Sequence, residues 1–238
     1  MKIKKNNLLM QAFKYSFPVL LGYIAIGIAF GLLIVKAGYP WYLGIFMSLI
    51  MYAGAGQYLS VGFFAAGNGL FESCLIQFVI NARHMAYGIT LLKKINAAGY
   101  FKPYLIFALT DETFALLSAI DEKNDVYGKT VKEKSAFLFY VSILDHSYWV
   151  LGTVIGVFAG IFIPVSFEGV DFALTALFIV LMIEQIRRVK TVLPFVISAA
   201  AGIITVIFVP IQLSLLSALA VSLLFVQLFS KERKDCAA

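Results

Sequence analysis

Four stretches of the chain set groups capable of ion-pairing or proton chemistry inside apolar sequence. Asn81-Ala82-Arg83-His84 offers an amide, a guanidinium and an imidazole, and Thr110-Asp111-Glu112 offers two carboxyls. Asp145-His146-Ser147 adds a third carboxyl and a second imidazole, and Tyr52-Ala53-Gly54-Ala55-Gly56-Gln57 adds two glycines and an amide. An ionisable side chain at the centre of a bilayer costs roughly 2.5–3.5 kcal/mol on insertion scales, so such groups are read as functional by default. The plainer reading is a static ion pair, for instance Arg83 with Asp111, that fixes helix register. Gln77, Asn81, His84 and Gly88 share one helical face, as do Ala108, Asp111, Ala115 and Ser118. His84 and His146 suit proton carriage, although each could equally be hydrogen-bonded to a neighbouring acid. The glycines near Gln57 permit a helix break whose freed N–H and C=O groups can bind the charged ends of a solute; tight helix packing is the alternative. Gly22, Gly27 and Gly31 read as packing glycines.

The elements that must position these groups are membrane helices. Of 238 residues, 61% are hydrophobic and 13% charged, and the mean hydropathy of +0.91 excludes a water-soluble domain. Hydropathy and breakers predict an all-α polytopic membrane protein of about eight transmembrane helices. They fall near Ser16–Val35, Tyr42–Ala65, Gly69–Leu92, Tyr104–Ile120, Ser135–Ile163, Asp171–Ile186, Thr191–Phe208 and Ile211–Phe229, with the second helix broken. Residues 1–238 then form a single transmembrane transporter domain whose extended polar stretch, 121–134, is a cytoplasmic loop.

The net charge of +6 is read as orientation, not as nucleic-acid binding. With both termini cytoplasmic, basic residues at 2–14, 123–134, 187–190 and 231–234 lie inside. Lys93, Lys94 and Lys102 then lie outside, against the positive-inside rule. A re-entrant second segment would move those three inside but put the Arg187–Lys190 cluster outside, so eight full spans remain the expectation.

No zinc-protease or nucleophile-elbow spacing occurs, no phosphate-binding loop is present, and Cys74 and Cys236 form no redox or metal pair. An enzyme is therefore not expected, nor a cofactor or metal, and energy should come from an ion or substrate gradient. A channel, or an uptake permease for another small polar or zwitterionic solute, is the alternative to an exporter.

The segments Ala53-Gly54-Ala55-Gly56-Gln57-Tyr58-Leu59, Asn81-Ala82-Arg83-His84-Met85-Ala86-Tyr87-Gly88 and Leu109-Thr110-Asp111-Glu112-Thr113-Phe114-Ala115 resemble the signature segments of the AzlC family. Members of that family are large subunits of bacterial branched-chain amino acid exporters. The likeness covers nearly the whole chain. Ala55 and Gly56 depart from the usual Ala-Gly-Ser-Ala-Gln pattern and remove a hydroxyl. The resemblance implies efflux of Val, Leu, Ile and Met-like amino acids across the bacterial inner membrane, together with a small membrane subunit of the AzlD type. A zwitterion with an apolar side chain needs a cationic or N–H-rich cradle, an acidic cradle and an apolar pocket. Gly54, Gly56, Gln57, Asn81, Arg83 and Tyr87 are the candidates for substrate binding, with Arg83 and the glycine break forming the anion cradle. His84, Asp111, Glu112, Asp145 and His146 are the candidates for proton or ion coupling, Arg83 being the resting partner of Asp111.

Overall fold

The computed structural model describes residues 5–67, 69–120, 130–162 and 193–208, with isolated positions beyond 178. All regular structure among these residues is helical. The chain divides into two compact units, Met1–Gly67 with Gln77–Thr175, and Asn68–Ile76 with Ala176–Ala238. In the second unit the described parts are the first turns of α4 (Leu70–Thr90) and the apolar helix α9 (Leu193–Phe208), which falls on the expected seventh span. The expected spans 171–186 and 211–229, and the basic cluster at 187–190, lie almost wholly outside the described residues.

The first unit is built on two long helices, α1 (Lys5–Lys36) and α8 (Val131–Phe162), each of 32 residues. At 1.5 Å per residue they run about 48 Å, more than a hydrocarbon core needs. Both are long and apolar enough to cross a membrane. Helices in lipid gain nothing from expelling water between them and must associate by close packing, which small residues allow. A Cβ on Gly27 would lie 3.0 Å from the Trp149 carbonyl oxygen, and one on Gly152 would lie 2.8 Å from that of Ile24. Added to Gly31 or Gly156, a Cβ would overlap backbone of the opposing helix. Gly27 and Gly31 therefore pack as expected, whereas Gly22 faces open space. α8 also starts a turn earlier than expected, because Thr130 and Glu133 cap each other: the Glu133 N–H donates to Thr130 Oγ1 and the Thr130 N–H to Glu133 Oε2, both at 3.2 Å. Val131–Lys134 is thus helix, not loop.

The second expected span is broken, and it also turns back. α2 (Trp41–Ile50) starts with Trp41 against Phe158 of α8 at a ring separation of 6.2 Å. It ends near Ser48, whose hydroxyl lies 2.8 Å from that of Thr153 and whose carbonyl accepts from His146 at 3.1 Å. After a break at Met51–Ala53, α3 (Gly54–Ala66) begins against the Trp149 indole. It then runs toward the Lys36 end of α1: the Tyr58 hydroxyl donates to the Ile26 carbonyl at 2.8 Å, and Phe64 reaches Tyr39 at 5.5 Å. Tyr39 directly precedes α2, so α3 ends where α2 began.

The fourth expected span does the same from the other end. After α4 come α5 (Leu92–Ala97), a 3-10 turn (Gly99–Phe101) and α6 (Lys102–Phe107). Ser135 donates to the Ala97 carbonyl at 3.3 Å, Phe101 stacks on Phe139 at 4.6 Å, and Phe107 reaches His146 at 5.7 Å. α7 (Asp111–Ala119) then returns, with Tyr15 of α1 donating to the Leu116 carbonyl at 3.0 Å. Lys94 Nζ donates to the carbonyls of Leu117, Ser118 and Ile120 at 3.1, 3.2 and 2.6 Å, satisfying groups that a helix end leaves unpaired. The lysine expected on the opposite side from the 121–134 loop thus holds the residues that lead into it. Leu8, Ile95, Leu105, Leu117 and Phe137 belong to one buried cluster at this end. In this unit α1 and α8 are the two long helices, and the segments expected as the second and fourth spans are each broken into helices that double back, α2 with α3, and α5 and α6 with α7.

Candidate functional site

The tips of the two hairpins meet beside the middle of α8. The ring of Tyr52, in the first tip, lies 6.2 Å from Phe107 of the second hairpin and 4.2 Å from His146. Tyr52 has φ of 41°, a left-handed backbone that a bulky residue adopts only when its surroundings enforce it. Its side chain is buried, with the hydroxyl beside those of Thr113 and Tyr23.

Around the first tip the contacts are between neutral groups. No side chain caps the N-terminus of α3, and its first turn contains no acid. Gly56 lies where α4 passes: a Cβ would meet the ends of three side chains, Gln77 Oε1 at 2.6 Å, Met51 Cε at 2.9 Å and Asn81 Nδ2 at 3.2 Å, which would have to shift. Gln77 donates to the Gly56 carbonyl at 2.6 Å, and Asn81 donates to Gln77 at 3.0 Å. Gln57 is fully buried and braced: its amide donates to Ser48 at 2.9 Å and accepts from the Trp149 indole at 2.9 Å. Gly54 sits under the same indole, where a Cβ would come within 3.1 Å. Gln57 and Gly54 thus hold the tip to α8 through Ser48 and Trp149, whose part in the site has no mark in the sequence, and Thr153 braces Ser48 in turn.

Around the second tip the groups are charged. Thr110 caps α7, accepting from the Thr113 N–H at 3.2 Å, and Asp111 and Glu112 occupy the first turn, where the helix dipole favours acids. Arg83 Nη1 lies 2.6 Å from Asp111 Oδ2, and the Tyr87 hydroxyl donates to Asp111 Oδ1. Tyr87 in turn stacks on Phe114 at 4.4 Å. Tyr23 of α1 donates to Glu112 at 2.8 Å, and Thr113 donates to the fully buried Asp145 at 2.9 Å. Asp111 is therefore at a helix start and not in the middle of a continuous span.

The expected set is brought together, but in two groups. Arg83 belongs to the Asp111 side and not to the glycine break, because Asn81 and Arg83, two residues apart, project from nearly opposite sides of α4. Gln77 and Asn81 occupy the place at the break that was expected of Arg83. His84 lies 6.0 Å from the Tyr87 ring, with no hydrogen bond to an acid among the described contacts. His146 is held by neutral partners: Nε2 donates to the Ser48 carbonyl at 3.1 Å, so Nδ1 accepts from Tyr104 at 3.0 Å. With these partners its ring lies under Tyr52. Arg83 Nε and Asn81 Oδ1 are buried with no hydrogen-bond partner, an unmet donor and an unmet acceptor beside the tips. The described residues contain no group of His, Cys, Asp and Glu that could hold a metal ion.

Residues 18–163, which contain both hairpins and all of these groups, match the AzlC protein family. This chain belongs to the AzlC family. Among its AzlC-like relatives, an uncharacterised membrane protein of Helicobacter pylori is 34% identical over 227 residues, covering 94% of this chain and 97% of its own. The branched-chain amino acid transport protein AzlC of Bacillus subtilis is 34% identical over 180 residues, 76% of this chain and 68% of its own. The inner membrane protein YgaZ of Escherichia coli is 30% identical over 212 residues, covering 86% and 84%. No solved structure matches the chain.

Proposed function

We propose that this chain is a multi-pass secondary transporter of the bacterial inner membrane that exports branched-chain and similarly apolar amino acids. It works with a small membrane subunit of the AzlD type and draws on a proton gradient. The observation that carries the reading is the meeting of two half-helix N-termini of unlike chemistry between α1, α4 and α8. One is uncapped and free of acids; the other carries Asp111 and Glu112 beside Arg83. Half-helix ends at mid-membrane are where transporters bind the charged termini of their substrates. The substrate carboxylate takes the open N–H groups of α3 and reaches across to the unmet Nε of Arg83, and the ammonium takes Asp111. As the carboxylate draws Arg83 away, Asp111 loses its counter-ion, which couples substrate binding to protonation. The family match and the name of the Bacillus relative support amino acids as the cargo.

Two hairpins also reconcile the charges. With the N-terminus cytoplasmic, each hairpin returns to its own side, so Lys93, Lys94 and Lys102 join the 121–134 loop inside, and the Arg187–Lys190 cluster stays inside as well. In a chain cleared of Cys74 and Cys236, cysteines placed at Asn96 and Asn124 should be labelled from one side of the membrane and one at Ala37 from the other. Opposite sidedness of 96 and 124 would restore a fourth span. For the cargo, cells lacking the gene and fed Val- or Leu-containing dipeptides should accumulate the free amino acid. Equal accumulation with the gene and its partner present would refute export.

A further inference from the structure

Four of the described residues have a left-handed backbone, and three of them are glycines: Gly38 and Gly67, just beyond α1 and α3, and Gly99 in the 3-10 turn. The fourth is Tyr52, which closes α2. There the Met47 carbonyl accepts from the N–H groups of Met51 at 2.8 Å and of Tyr52 at 3.3 Å. Helices commonly end on a left-handed residue, and glycine serves best because any Cβ crowds the following carbonyl oxygen. The chain follows that preference after α1 and α3 and departs from it after α2.

The side chain explains the departure. A Cβ at Gly38, Gly67 or Gly99 would stand in open space, whereas Tyr52 is buried. Its ring lies 4.2 Å from His146 of α8 and 6.2 Å from Phe107 of α6, and its hydroxyl is beside those of Thr113 on α7 and Tyr23 on α1. The rest of the first tip is tied elsewhere, Gly54 and Gln57 to Trp149 and Gly56 to Gln77. Among the described residues no helix of one hairpin packs along a helix of the other, so the two meet at their tips. Tyr52 carries the first tip into the second.

We propose that Tyr52 is a strained latch between the two hairpins: its side chain holds the tips together while its left-handed backbone favours their parting.

The two effects are present in the same state and oppose each other. Contacts with Phe107 and Thr113 exist only while the tips are together. The cost of a φ of 41° also exists only then, because a withdrawn side chain no longer holds the backbone there and it relaxes to negative φ. Their difference is small, and a small difference is what an element with two positions needs. The latch rests on the reading of the space between the tips as the transport site, since a solute held there leaves only when they part.

Its test needs no amino acid. In the full-length chain cleared of Cys74 and Cys236 and held in lipid, a single cysteine at Ala108, fully buried in the second tip, reports parting through its rate of alkylation by a small thiol reagent. A cysteine at Ala12, fully buried and about 16 Å along α1 from Tyr23, reports general loosening. Tyr52→Ala loses the latch and keeps the strain, so position 108 should react fastest in that variant. Tyr52→Gly loses both and should react roughly 5- to 30-fold more slowly than Tyr52→Ala, the worth of one left-handed Cβ, yet faster than the Tyr52 parent. Tyr52→Phe keeps the ring and should fall between the parent and Tyr52→Ala, and rates at position 12 should not change. A ring that merely fills space gives the reverse order, because glycine leaves the larger void and the looser chain. Tyr52→Gly reacting as fast as Tyr52→Ala or faster, or an equal acceleration at position 12, would overturn the latch. Neither result bears on whether amino acids are exported, and failure of the dipeptide assay would leave the order of rates unaffected.

Discussion

The two hairpin tips share a geometry and differ in chemistry. Both are helix breaks of three residues, 51–53 and 108–110, and each sends a fresh helix N-terminus toward the other. The first is made by fit: Gly54 and Gly56 let Trp149 and α4 approach the backbone, Tyr52 takes a left-handed turn, and the N-terminus is left uncapped. The second is made by hydrogen bonds: Thr110 caps, and two acids line the first turn. Uncapped N–H groups and a positive dipole end attract a carboxylate, whereas an acid-lined end attracts an ammonium. One backbone device, used twice with different side chains, gives two unlike helix N-termini, which is the basis of the proposed zwitterion site.

The sharpest way to break this division is to remove charge from one tip and amide from the other. Arg83→Ala takes away a charge-assisted hydrogen bond worth about 1.5–3 kcal/mol, so amino acid affinity in proteoliposome counterflow should fall roughly 10- to 100-fold. Gln77→Ala should fall well short of that. An equal loss in both would mean that the tips are not chemically distinct.

Packing should separate them next. Gly56→Ala pushes a methyl against the ends of Gln77, Met51 and Asn81 and should destabilise by about 1 kcal/mol, seen as a lower Tm in detergent. Gly62→Ala, on the same helix in open space, should not lower Tm. If both variants melt alike, the first tip does not depend on backbone fit.

An effect of the same size tests the cap. Thr110→Ala should cost about 1 kcal/mol, or about 2–4 °C in Tm for a chain of this size, and Thr110→Ser should recover most of it. Smallest in stability is the reverse experiment, Ala53→Ser, which gives α3 the cap it lacks. It should raise stability by about 0.5–1 kcal/mol while weakening amino acid binding, since the hydroxyl now takes an N–H meant for the carboxylate. Tighter binding in Ala53→Ser would argue against that site for the anion.

Much of this was legible in local sequence. The break near Gly54 could be read from glycines in an apolar run, and the Arg83, Asp111 and Asp145 stretches from the cost of placing charge in lipid. The second break was legible too, in Thr110 followed by two acids and Thr113, a helix start in the middle of an apparent span; the apolar runs on either side, 105–109 and 114–117, hid it. The glycine series 152, 156 and 160 on α8, partner to Gly27 and Gly31, is likewise visible at a spacing of four. Tyr23 had no local mark, being one tyrosine among apolar residues, and its role rests on Thr110 and Glu112 nearly ninety positions away.

By itself the sequence determined that the solvent is lipid, that the elements are helices, and which side chains are too costly there to be idle. Each of these depends on composition or on a period of a few residues. Only the tertiary structure decided that two segments turn back instead of crossing, that Arg83 faces Asp111 while Asn81 faces Gly56, and that Tyr52 reaches the second hairpin. A hairpin arm and half of a spanning helix have the same apolar content and the same period. What distinguishes them is where the chain goes after the break, and that is set by distant partners: Tyr39 receiving Phe64, and Lys94 holding the last carbonyls of α7.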